Sequence, residues 1–211
     1  AFEGVSMHSG SRAVDGAIVD ADFVNGELIL MTINDDEPVG ITGSGLIRLV
    51  DLFRQIGLLA ESGRINTKSD YYERWGEQIG RQKVIWLDHE NEIMLKQNDV
   101  RELQKAKGAI RAAMDILIDE LGLDSSQLET IFLTGSFGGV VDIEAVLRIG
   151  MIPDVGVEKV ETIPNAAGLG AAMFLTEEGQ ALAEEIVSIS SQIDLDLSAD
   201  FQQAYVHAMG L

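Results

Sequence analysis

Thr130-Ile131-Phe132-Leu133-Thr134-Gly135-Ser136-Phe137-Gly138-Gly139 decides how the rest of this chain reads. A short run of β-branched and apolar residues breaks into a glycine-rich bend. Asp142 then opens a short helix that closes at Gly150. The same strand-turn-helix grammar repeats at once. Val157–Ile163 reads as a strand, Pro164-Asn165 as a turn, and Ala166 to about Ser188 as one helix. Two such units in succession predict an α/β domain, a mixed sheet flanked by helices. Ligands in these folds lie beyond the carboxyl ends of the strands. Glycines there let main-chain N–H groups approach a phosphate or nucleoside with no Cβ in between. Gly135, Ser136, Phe137, Gly138 and Gly139 are therefore candidate nucleotide-binding residues, although a turn built only for tight packing explains the same glycines. The stretch is neither the dinucleotide fingerprint nor a Walker A loop, since no Gly-Lys-Ser/Thr follows.

Upstream, the spacing predicts a long helix from about Val100 to Leu121, with Asp99 and Glu102 at capping-box distance and Gly122 as its stop. Leu103, Ala106, Ile110, Ala113, Leu117 and Leu121 form the expected apolar stripe. Lys107 falls among these residues, so it either snorkels to solvent or reaches a ligand in a cleft. Lys105 neighbours Gly108, Ala109 and Ala112, a face small enough to admit another backbone or a flat ring. Nearer the start, Asn25-Gly26 predicts a hairpin over 17–33. Gly43-Ser44-Gly45 then precedes a helix running to about Leu59. That triplet is a candidate anion site, with Ser44 as an ordinary N-cap the alternative reading. Gly168 and Gly170 follow Asn165, where they serve either close packing or approach to a sugar or base. Residues 61–83 read as a polar surface excursion, followed by a second hairpin around Glu90-Asn91. The expected organisation is one lobe over 1–190, with the excursion at about 61–97. A tail, 191–211, packs back through Phe201, Tyr205 and Met209.

The 211 residues hold 15 Lys+Arg against 35 Asp+Glu, a net charge of −20, which makes nucleic acid an unfavourable partner. The absence of cysteine excludes disulfides, thiolate nucleophiles and cysteine-ligated clusters within these residues. His8, His89 and His207 lack metal-ligand spacing, and no Ser–His–Asp arrangement is readable. No apolar run approaches the roughly 20 residues of a membrane span and no signal peptide is present, so no membrane partner is expected. The expected setting is cytoplasmic. The residues alone reach as far as a nucleotide-binding lobe.

Several segments, in order, resemble one family. They are Ala1-Phe2-Glu3-Gly4 with Gly10-Ser11-Arg12-Ala13, then Ile41-Thr42-Gly43-Ser44-Gly45-Leu46-Ile47. Next come Gln104-Lys105-Ala106-Lys107-Gly108-Ala109-Ile110, Leu133-Thr134-Gly135-Ser136-Phe137-Gly138, and Ile163-Pro164-Asn165 through Gly168-Leu169-Gly170-Ala171. Together they resemble the carboxy-terminal domain of the reductive activators of corrinoid proteins. The resemblance implies one lobe of an actin-like (ribonuclease H-like) ATPase fold. It implies an activity in which ATP with Mg2+ drives electrons from a [2Fe–2S] domain, outside this chain, to the cobalt of a partner corrinoid protein, restoring Co(I). In that reading Gly135, Ser136 and Gly138 match the adenosine-side loop, and Lys107 lies on the helix flanking the cleft. The chain departs from the pattern in lacking the Asp-x-Gly-Thr phosphate turn and the cluster cysteines. Position 42 is threonine where the family often has cysteine, and Ser136 stands where glycine is frequent. These departures imply that the missing parts lie elsewhere and that this stretch alone hydrolyses ATP poorly or not at all. Two alternatives stay open: a non-catalytic actin-like module that docks a corrinoid protein, and a lobe of a related kinase or acyl-CoA dehydratase activator. A homodimer is also left open.

Overall fold

Asn25 and Gly26 both take left-handed backbone (φ 52° and 85°), as a tight type I′ hairpin turn requires. In the computed structural model, which describes residues 7–135, 141–195 and 200–211, they join β1 (Ala17–Val24) to antiparallel β2 (Glu27–Thr32). The start of β1 also pairs in parallel with β3 (Gly40–Ile41), so the first sheet is mixed, with order β2-β1-β3. Helix α1 (Gly43–Gln55) leaves β3 immediately. Its N-cap is Thr42 rather than Ser44: the Thr42 hydroxyl accepts from Gly45 N (3.1 Å) and donates to Ile18 O (2.8 Å). The shift follows from Thr42 being the last extended residue before the helix (φ −76°, ψ 169°).

The stretch after α1 is more ordered than a polar excursion. It forms α2 (Asp70–Trp75) and β4 (Gly76–Ile79), which pairs with β5 (Gln82–Asp88), itself paired with β6 (Ile93–Lys96). The reason lies in its aromatics. Tyr71 stacks on Trp75 at 5.5 Å, and Phe23 of β1 meets both edge-on at 5.2 and 5.9 Å. Arg74 adds an ion pair to Glu27 and a bond to Gly26 O. Tyr72 carries the one unsatisfied buried side-chain polar atom among the described residues, its hydroxyl. Burial and the nearby Glu77 raise that phenol's pKa. Because an unpaired buried hydroxyl costs free energy, Tyr72→Phe is expected to stabilise the protein by about 1 kcal/mol. Urea unfolding measures this, and a loss of stability would contradict it.

Helix α3 (Gln97–Glu120) starts a turn earlier than its periodicity suggests. Asp99 is not its cap but its third residue, and its carboxylate accepts from Lys96 N (2.8 Å) and His8 N (3.0 Å). The buried face also differs from the expected stripe. Val100, Leu103, Gln104, Lys107, Gly108, Ala112 and Ile118 are buried, whereas Ile110, Leu117 and Leu121 are exposed. What packs there explains the rotation. Helix α7 (Phe201–Ala208) crosses α3 where a Cβ on Gly108 would lie 3.1 Å from Met209 Cγ. Gln104 donates to Met209 O (2.6 Å), and Leu211 N donates to Glu61 O (2.9 Å). The small-residue face of α3 thus admits the chain's own tail.

The last part contains β7 (Ile131–Gly135), α4 (Ile143–Arg148), β8 (Val160–Pro164), α5 (Ala166–Met173) and α6 (Glu177–Ile189). β7 and β8 pair in parallel. The eighth strand begins three residues later than expected because Val157–Lys159 makes a 3-10 turn. The single helix expected from Ala166 is two, since the Thr176 hydroxyl accepts from Gly179 N (3.0 Å) and caps α6. One contiguous core joins all three sheets, running through Ile18, Phe53, Ile85, Leu103, Val146 and Val160. Among the described residues no helix is long and apolar enough to cross a membrane.

Candidate functional site

The parallel register sets Thr134 opposite Ile163 and Gly135 opposite Pro164, so both strands end at one edge. Gly135 has φ +88°, and a Cβ built on it meets none of the described residues within 4 Å. Its backbone conformation requires glycine. The remaining loop residues, Ser136, Phe137, Gly138 and Gly139, lie outside the described residues. Across the edge, the Thr134 hydroxyl accepts from Ala166 N at 3.0 Å, pinning the start of α5 to the end of β7. Asn165, in left-handed backbone at φ 51°, caps α5 by accepting from Gly168 N at 3.2 Å. A Cβ on Gly168 would come within 2.4 Å of the Asn165 side-chain amide, so that glycine serves the cap. No described residue comes within 4 Å of a Cβ on Gly170. The amino end of α5, with its partial positive charge, is thereby fixed beside Gly135.

The other sequence candidates sit elsewhere. Gly43, Ser44 and Gly45 are buried against β1, where a Cβ on Gly45 would lie 2.3 Å from Ile18 O. Ser44 Oγ is 3.0 Å from Thr42 Oγ1, so its hydroxyl is engaged internally. Lys107 neither snorkels nor points at the β7–β8 edge. It is 2 % exposed, and its ammonium donates to Ile149 O (2.6 Å), capping the carbonyl end of α4. Burial first, and then the charge of Arg111, lowers its pKa from 10.5 to about 8. Lys105 is exposed and pairs with Glu102 at 2.7 Å.

Two features escape sequence reasoning. The Thr134 tie is one, and its signal is a hydroxyl on the last strand residue before a glycine. The other is a charged clamp between α1 and α4. Asp51, 1 % exposed, accepts from Arg148 Nη2 (2.8 Å) and Nε (2.9 Å) and from Gln55 (2.8 Å). Arg48 approaches the same carboxylate at 3.4 Å and Asp142, the N-cap of α4, at 3.3 Å. The signal was a lone carboxylate among Leu49, Val50, Leu52 and Phe53. No group of three His, Asp or Glu side chains is placed to hold a metal among the described residues.

A family model described as the C-terminal domain of RACo, the ASKHA domain, matches residues 1–211. The corrinoid activation enzyme RamQ of Eubacterium limosum is 30 % identical over 219 residues, covering 98 % of this chain and 37 % of that protein. The [Co(II) methylated amine-specific corrinoid protein] reductase of Methanosarcina barkeri is 28 % identical over 223 residues, covering 93 % of this chain and 37 % of its own. A solved structure, a reductive activator for corrinoid, iron-sulfur protein, superposes with a TM-score of 0.88 at 25 % identity, covering 100 % of this chain and 35 % of that one. The chain thus spans little more than a third of the relatives it matches. With its whole length matched by that model, the chain belongs to the family of RACo C-terminal domains, of the actin-like ASKHA fold.

Proposed function

We propose that this domain is the carboxy-terminal, nucleotide-holding part of an ATP-dependent reductive activator. The whole protein returns an inactive corrinoid protein to Co(I), with electrons from a [2Fe–2S] domain outside these residues. A corrinoid protein is its partner and the cytoplasm its setting. The carrying observation is the carboxyl edge where Gly135, Asn165 and the start of α5 meet. The relatives named as corrinoid activators and reductases support the same reading.

The residues at that edge fit a nucleotide. No described residue lies within 4 Å of a Cβ on Gly135 or Gly170, and Gly135 presents main chain without a side chain. ATP with Mg2+, when bound, supplies free energy through its unequal affinity for two arrangements of the protein. The domain's own part is to hold the edge rigid. Thr134 ties β7 to α5, and Asn165 keeps the first turn of α5 closed, so the partial positive end stays in register with Gly135. The remaining phosphate contacts come, in this proposal, from outside these 211 residues.

The test is Gly135→Val in the full-length protein. A β-branched residue at φ +88° carries strain of about 1–3 kcal/mol, and among the described residues nothing lies within 4 Å of its Cβ. Corrinoid-stimulated ATP hydrolysis is expected to fall about tenfold or more, with unchanged circular dichroism. A wild-type protein that neither hydrolyses ATP in response to a corrinoid protein nor yields Co(I) would overturn the proposal.

A further inference from the structure

In a chain of net charge −20, one cavity of about 500 Å³ is lined by four cations, Arg64, Arg81, Lys83 and Arg101, together with Gln97 and Asn98. No carboxylate lines it. Among the described residues, none of the four cations lies within ion-pair distance of a carboxylate. Acidic side chains outnumber basic ones more than twofold here, so four cations with no carboxylate partner are a departure from the composition.

Much of the wall is fixed in place. Gln97 accepts from Ile65 N (2.8 Å) and donates to Gly63 O (2.7 Å), stapling the 63–65 loop to the start of α3. Arg101 donates to Ser62 O (2.9 Å) and to Gln104 (2.6 Å). Arg81 and Lys83 come from the β4–β5 hairpin. The first turn of α3, which follows Lys96 at the N-cap, contributes Gln97 and Asn98 to the lining. A lysine ammonium cannot accept a hydrogen bond, so the N-cap side chain satisfies none of the first-turn N–H groups.

We propose that this cavity binds a small multivalent oxyanion, of the class of a phosphorylated small molecule, at a site separate from the nucleotide edge. Three guanidiniums present the planar forks that match phosphate oxygens, and the helix amides add fixed partial positive charge. The volume falls within the range of small-ligand sites, roughly 300–1,000 Å³. The rest of the surface selects for size. A large acidic partner laid over the cavity would meet the surrounding negative field, whereas a small anion meets only the cavity wall.

The test is calorimetric titration of inorganic pyrophosphate into the full-length protein. It is run on wild type, on the paired variant Arg81→Glu with Lys83→Glu, and on Gly135→Val. The paired residues lie on a hairpin and make no side-chain bond among the described residues, so their variant is expected to fold normally. Pyrophosphate is expected to bind wild type and Gly135→Val alike. The paired variant should bind it about tenfold or more weakly, as befits the loss of charge-assisted bonds. Affinity should also fall steeply with added salt. Equal affinity in the paired variant, affinity insensitive to salt, or tighter binding of a polyglutamate peptide than of pyrophosphate would each overturn the site.

Discussion

Asp51→Ala is expected to destabilise the protein by about 3 kcal/mol, more than any other single side-chain deletion proposed here. The carboxylate is almost fully buried and gathers two guanidiniums and an amide. Removing it leaves Arg48 and Arg148 facing one another with their shared counter-charge gone. Both cations then lose a charge-assisted bond in a region of low dielectric, and like charges repel. Solvent tempers the cost, since the Arg148 side chain is 39 % exposed, which sets the estimate at the lower end of the range for buried pairs. The clamp also governs geometry. It joins α1, which packs on β1, to α4, which follows β7. Urea unfolding of wild type, Asp51→Ala and the double variant Asp51→Leu with Arg148→Leu measures this. The double variant should recover much of the loss, because it removes the uncompensated charge. A single-variant loss below about 1 kcal/mol would show that the clamp behaves as a surface pair.

The second large effect is one of pH. Lys107 has a folded-state pKa of about 8 against an ordinary 10.5. Between those values the unfolded chain binds more protons than the folded one, so stability contributed by this group rises with pH. The penalty for burying the charge is complete below pH 8 and is relieved as pH climbs from about 8 to 10.5. A displacement of this size corresponds to about 3 kcal/mol. Lys107→Met removes the titration and keeps the volume. The stability difference between wild type and variant is therefore expected to move in favour of wild type across that interval. Parallel stability–pH curves would show that the ammonium is not desolvated in solution.

Much of the fold was legible because local chemistry and tertiary context agree. Asn25-Gly26 has a single comfortable hairpin geometry, Asp142 caps the helix it precedes, and β7, α4, β8 and α5 follow in the order their pattern suggests. Thr134-Gly135 and Pro164-Asn165 were legible as the ends of two strands for the same reason, and the parallel register brings them to one edge. What was not legible depends on partners far away in sequence. The buried face of α3 carries Gln104 and Lys107 because the main chain of α7 and α4 lies opposite, which no period in α3 itself encodes. Asp99 looks like a cap until its two amide partners, one of them at residue 8, are seen. The aromatic cluster of Tyr71 and Trp75 is completed by Phe23, nearly fifty residues upstream. The four cations of the basic cavity are spread from residue 64 to residue 101 and meet only through folding.

Helices α5 and α6 bury none of their residues, although α5 is almost wholly apolar. Helices of 8 and 13 residues are marginal in water on their own, so their order rests largely on the caps at Asn165 and Thr176 and on the tie to Thr134. Opening α5 locally therefore costs far less than unfolding the core. A ligand held at the β7–β8 edge, as proposed above, would bear the conformational-entropy cost of ordering this helix, and anything that orders α5 beforehand would lower that cost for it.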